Sequence, residues 1–121
     1  MKIWMVPLLF LLFPLWSVSA SELYTQRIDK FMEDLALCES GGNPDAINPD
    51  DGGSASKGVL QFKDTTFAAF MKKYKAYVPA GDIWNPGTQT ALARYMILTP
   101  KGWKHWYNCS MSVGLLPHMI P

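Results

Sequence analysis

Apolar residues fall along this chain in two patterns. Positions 3–16 form an unbroken apolar run, whereas from about position 21 onward apolar and polar residues alternate with helical spacing. Ile28, Phe31, Met32, Leu35 and Cys38 follow the three-and-four spacing of one buried helical face, and Ser21 stands where a capping side chain would open that helix. Glu39 lies four residues after Leu35 and seven after Met32, so it continues the core-facing stripe, while Glu33 and Asp34 fall off it towards solvent. Ser40, Gly41 and Gly42 then end the helix.

The pattern changes over positions 43–56, where Asn, Pro, Asp, Gly and Ser dominate and Ile47 is the one large apolar residue. That is turn chemistry, and it predicts a loop or a ragged hairpin. Val59, Leu60 and Phe62 read as a short strand. Asp64 or Thr65 is placed to cap a second helix with Phe67, Phe70, Met71 and Tyr74 on its apolar face, closed by Pro79 and Gly81. Asn85 as cap and Pro86 at the first helical position predict a third helix carrying Leu92, Tyr95 and Met96, stopped by Pro100. The tail brings Trp103, Trp106 and Cys109 back towards the first helix. The expected class is α+β, mostly α, with a short β element between the first two helices.

A chain of 121 residues, about half of them apolar, has room for one compact domain. Lys2, the apolar run and the small residues Ser17, Val18, Ser19 and Ala20 form a signal-peptide pattern, which divides the chain into a leader over 1–20 and a domain over 21–121. The run is too short for the roughly 20 residues of a membrane span and contains Pro7 and Pro14, although an uncleaved anchor stays open. Without Lys2, ten of the eleven basic residues remain against ten acidic ones, a balance that offers no field for nucleic acid or anionic lipid. Export to the periplasm or the outside favours a disulfide between Cys38 and Cys109. The competing assignment, Cys38 as a free nucleophile beside Glu39, lacks a histidine near it in sequence.

Glu39 is the residue around which chemistry gathers. An apolar face penalises the ionised carboxyl and the carbonyl end of a helix pushes the same way, which is how a carboxylic acid stays protonated near neutral pH and donates a proton to a leaving group. The glycines after it open a groove where Ser40, Asn43 and Ser56 supply hydrogen-bonding groups, with Gln61 adding an amide. Trp84, Trp103 and Trp106 are candidates for stacking on sugar rings and equally for the core. Asp45, Asp50 and Asp51 share the composition of a calcium loop without its alternation or closing glutamate, and His105 and His118 lack ligand spacing, so no metal is expected. Ser40 has no glycine two places before it and is not a nucleophile elbow.

"CESGGNPDAIN", "GVLQF", "KDTTF" and "GWKHWYNCS" together resemble the lysozyme-like domain of the resuscitation-promoting factors, relatives of the lytic transglycosylases, over positions 28–110. The resemblance implies a lysozyme-like fold and cleavage of the β-1,4 bond between N-acetylmuramic acid and N-acetylglucosamine in peptidoglycan, by a monomer without cofactors. On the matching positions it makes Glu39 the catalytic acid, Gln61 a groove residue and Cys38 with Cys109 the family disulfide. Ser40, Asn43, Ser56 and Trp103 are expected as further substrate contacts from their place in the groove reading, not from the resemblance. The segment "PDDGGSASK" is longer than the family pattern and adds carboxylates, which leaves open whether Asp50 or Asp51 assists and whether the outcome is hydrolysis or transglycosylation. A non-catalytic module that binds peptidoglycan through the same groove is the rival from another class.

Overall fold

The computed structural model describes residues 17–121; positions 1–16, which hold most of the expected signal peptide, lie outside the described residues. Helix α1 runs Ala20–Ser40 and buries Ile28, Phe31, Met32 and Leu35, the stripe expected from spacing. Its cap is Ser19 rather than Ser21: the Ser19 hydroxyl accepts the Glu22 N–H at 3.2 Å, because the helix starts earlier and takes Ser21 into its first turn. At the other end Gly41 adopts the left-handed conformation (φ 66°), and its N–H closes on the Leu37 carbonyl at 2.9 Å.

Three short antiparallel strands follow, β1 Ile47–Asp51, β2 Ser54–Lys57 and β3 Phe62–Lys63, in the order β1-β2-β3. The β1–β2 hairpin is irregular between Asn48 and Asp51, with Asp51 opposite Ser54 at its tip. The expected strand through Val59 and Leu60 is instead a tight turn: Gln61 donates to the Gly58 carbonyl at 3.1 Å and takes φ 55°. The reason lies far away in sequence. Leu60 gives its N–H to the Gln89 Oε1 at 2.8 Å and its carbonyl accepts from the Trp106 Nε1 at 2.7 Å, so side chains take the backbone groups that a strand partner would need.

Helix α2, Asp64–Tyr74, has no side-chain cap; Asp64 falls inside its first turn, where it pairs with Lys57 at 2.9 Å. Its apolar face of Phe67, Phe70, Met71 and Tyr74 is only partly buried against the core. Helix α3, Pro86–Leu98, opens as its sequence predicts, with the Asn85 side chain accepting the Thr88 N–H at 3.0 Å. A 3₁₀ helix, Gly102–Trp106, leads into α4, Tyr107–Val113, and a last 3₁₀ turn, Pro117–Met119.

The core joins α1, α3, β3 and the two tryptophans of the tail, with Leu35, Leu60, Leu92, Met96 and Ile97 sealed from solvent. Gln89 is equally sealed and acts as a polar clamp: besides Leu60 it donates to the Lys57 carbonyl at 2.8 Å. Gly58 is required opposite it, since a Cβ there would lie 2.3 Å from the Gln89 Nε2. Cys38 and Cys109 are bonded, tying the end of α1 to α4 across 71 residues. Closing a loop of that size restricts the unfolded chain by about 4 kcal/mol. His118 serves the fold as well. Its Nε2 donates to the Ile97 carbonyl at 2.7 Å while Nδ1 accepts the Tyr24 hydroxyl at 2.5 Å, pinning the tail to α1 and α3. No helix of the described residues is long and apolar enough to cross a membrane.

Replacing Gln89 by leucine keeps its volume but strands the Leu60 N–H and the Lys57 carbonyl. The unfolding free energy should fall by about 3 kcal/mol in chemical denaturation, and a change within error would show that the clamp carries no stability.

Candidate active site

The last turn of α1, the β1–β2 hairpin and the segment leading into α4 converge on a cleft of roughly 560 Å³. α1 contributes Glu39; the hairpin contributes Asn48, Asp51 and Ser56; the turn and β3 contribute Gln61, Phe62 and Lys63. The disulfide decides this arrangement. It fixes Cys109 beside Cys38, so that residues 104–108, distant in sequence, line the same cleft as Glu39.

Glu39 is half-buried, and its carboxyl is raised from 4.5 to about 7, first by removal from water and second by the negative charge of Asp51. Of the two hairpin aspartates, Asp51 lines the cleft and Asp50 does not. Asp51 is held at both ends. Its carboxylate accepts the Ser56 hydroxyl at 2.6 Å, and its backbone carbonyl accepts from Lys63. Ser56 is fully buried, so its hydroxyl serves Asp51 instead of standing free for a ligand.

The other residues expected in the groove separate into those the cleft contains and those it does not. Gln61 lines it, but its amide donates to the Ala46 carbonyl at 3.2 Å and the Gly58 carbonyl at 2.9 Å, leaving Oε1 as the acceptor it can offer. Ser40 lies outside the lining; its hydroxyl sits 2.7 Å from the Val59 carbonyl and 3.2 Å from that of Ala36, and staples the end of α1 to the following turn. Asn43 is also outside, accepting the Asp45 N–H at 2.9 Å in an Asx turn. Trp103 is corrected from sugar platform to core: it is 5% exposed, and its indole donates to the Pro100 carbonyl at 3.0 Å. Trp106 borders the cleft but is 4% exposed and tied to Leu60, while Trp84 stands elsewhere.

Sequence reasoning missed Asn48, Lys63, Thr66, Lys104, Tyr107 and Asn108, and it treated His105 as incidental although His105 borders the cleft. The signal for four of them was present. Residues 104, 105, 107 and 108 immediately precede Cys109, so a bond from Cys109 to the neighbour of Glu39 brings them to the site.

A carboxyl poised to hold its proton near neutral pH, with a second carboxylate lining the same open cleft, is equipped to donate a proton to a bound ligand and to steady positive charge there. The sequence model of the Transglycosylase-like domain family matches residues 27–109, a span that includes Glu39, Asp51, Gln61 and both cysteines. The chain belongs to this family. Its mostly helical fold with a small three-stranded sheet is consistent with a lysozyme-like transglycosylase domain. No curated protein and no solved structure shows significant similarity to the chain.

Removing the Asp51 charge should lower the Glu39 midpoint. Carboxyl-carbon NMR titration should place wild-type Glu39 at about 7 and the Asp51→Asn variant below it; an unchanged midpoint would mean that burial alone sets the value.

Proposed function

We propose that this transglycosylase-like domain cleaves the β-1,4 bond between N-acetylmuramic acid and N-acetylglucosamine of peptidoglycan, with Glu39 as its general acid. The observation that carries the reading is the Glu39 carboxyl, raised to about 7 by burial and by Asp51 inside the cleft. In this mechanism the Glu39 proton passes to the glycosidic oxygen as the bond from the muramyl C1 breaks, and positive charge spreads over C1 and the ring oxygen. The Asp51 carboxylate, oriented by Ser56, faces that charge. Glu39, now ionised, takes the proton of the muramyl C6 hydroxyl as that oxygen closes on C1, which gives an anhydro product and returns the acid to its starting state. Gln61, through Oε1, is the proposed contact to the sugar.

The second carboxylate supports an alternative completion. With Asp51 lining the same cleft, water instead of the C6 hydroxyl can capture C1, and the product is then a reducing end. The proposed site of action is the cell wall outside the cytoplasm, which the Cys38–Cys109 bond supports because such bonds persist in oxidising compartments, and for which residues 1–20 supply the export signal.

Digested sacculi analysed by mass spectrometry test both levels. The wild-type chain should release soluble muropeptides ending in anhydromuramic acid, and Glu39→Gln should lower the release by at least about a thousandfold while leaving the melting temperature little changed. Reducing ends would assign hydrolysis. Binding without any released fragment would replace the enzyme by a peptidoglycan-binding module.

A further inference from the structure

The part of the cleft formed by the 3₁₀ helix and the start of α4 carries its own recognition chemistry. Lys104, His105 and Tyr107 are exposed and border the cleft, and each is braced from behind by a buried or half-buried aromatic ring. The Lys104 ammonium lies 5.9 Å from the centre of the Trp103 ring, and Tyr107 stacks on the same indole at 5.6 Å. His105 meets the edges of Phe70 at 5.3 Å and Trp106 at 6.1 Å. Buried Trp103 and Trp106 therefore hold three outward side chains at fixed places, which lowers the ordering cost of binding.

The acidic and basic groups of the cleft are also sorted. The carboxyl groups come from α1 and the hairpin, and the basic side chains Lys104 and His105 come from the 3₁₀ helix. Among the described residues neither forms an ion pair within the chain, unlike Lys57, which is committed to Asp64. Lys63, the third basic residue of the lining, is bound to the Asp51 carbonyl.

We infer that Lys104 and His105, with the Tyr107 ring beside them, form a subsite for the carboxylates of the peptide stem carried by the muramyl residue. The inference rests on the peptidoglycan reading and narrows it: the substrate is stem-bearing glycan, not naked glycan. Sugar rings of the strand are neutral, so a pair of uncommitted basic groups on the rim contributes nothing to holding them. The stem leaves the muramyl ring beside the scissile bond, is acidic, and projects away from the sugar plane towards a rim. An exposed ion pair to Lys104 contributes up to about fivefold in affinity and is weakened by salt, and the His105 ring adds a hydrogen bond to the same carboxylates.

The test is binding, measured by calorimetry with three ligands that lack the cleavable bond: N-acetylglucosaminyl-N-acetylmuramyl-tetrapeptide, the peptide-free disaccharide with its lactyl carboxyl capped as the amide, and a neutral chitin oligosaccharide. The wild-type chain should bind the tetrapeptide ligand about tenfold more tightly than either of the others, and the preference should shrink as sodium chloride is raised. Lys104→Glu with His105→Ala should abolish the preference at an unchanged melting temperature, and Lys104→Arg should keep it. Equal affinity for the three ligands, tight binding of the peptide-free disaccharide, or a preference that survives the double substitution would overturn the inference. Because none of these ligands is cleaved, the result reads independently of turnover. A stem preference in a chain that releases no fragments from sacculi would sink the catalytic reading alone.

Discussion

The chemistry of this domain depends on where one helix stops. Helix α1 places Glu39 on its core-facing stripe in its last turn, and Gly41 then turns the chain away, so the carboxyl is neither sealed in the interior nor free in solvent. Half-burial keeps the proton on near neutral pH and leaves room for a ligand to reach it. A second carboxylate, Asp51, pushes in the same direction from the hairpin. Neither effect survives unless the helix end, the hairpin and the tail stay together.

Three attachments keep them together. The Cys38–Cys109 bond joins α1 to α4, the Ser40 hydroxyl joins α1 to the turn at Val59, and the Leu60 backbone is gripped from one side by Gln89 and from the other by Trp106. Each attachment uses a polar or covalent link at the border of the hydrophobic core. A small sheet of three short strands provides few ladder hydrogen bonds of its own, and these links replace them. The consequence for function is that Glu39, Asp51 and the segment from Lys104 to Asn108 are positioned by elements tied to one another.

The helices and the stripe carrying Glu39 can be read directly from the sequence, because amphipathic spacing is a local signal that burial reinforces. The disulfide follows from the export that the sequence leads one to expect and from having two cysteines. What could not be read has a common cause. Leu60 looks like a strand residue, yet its backbone is taken by side chains 29 and 46 positions away, and no local pattern announces that. Trp103 and Tyr107 show the same limit: both are large aromatics near the second cysteine, and only packing decides that the tryptophan is buried while the tyrosine is 54% exposed. Ser21 has the right side chain for a cap, but the helix begins earlier and Ser19 takes that place.

In the proposed reaction Glu39 works in its protonated form. The most direct measurement is the pH dependence of the initial rate of sacculus solubilisation at substrate concentrations well below saturation, which reports groups of the free enzyme. The carboxyl is raised above its usual value, so the active form is fully populated below about 5 and is lost as pH climbs through about 7. The expected profile has an alkaline limb centred near 7 that moves to lower pH when Asp51 is replaced by asparagine. A rate that stays constant from about pH 5 to about pH 9 would contradict a protonated Glu39 as the acid.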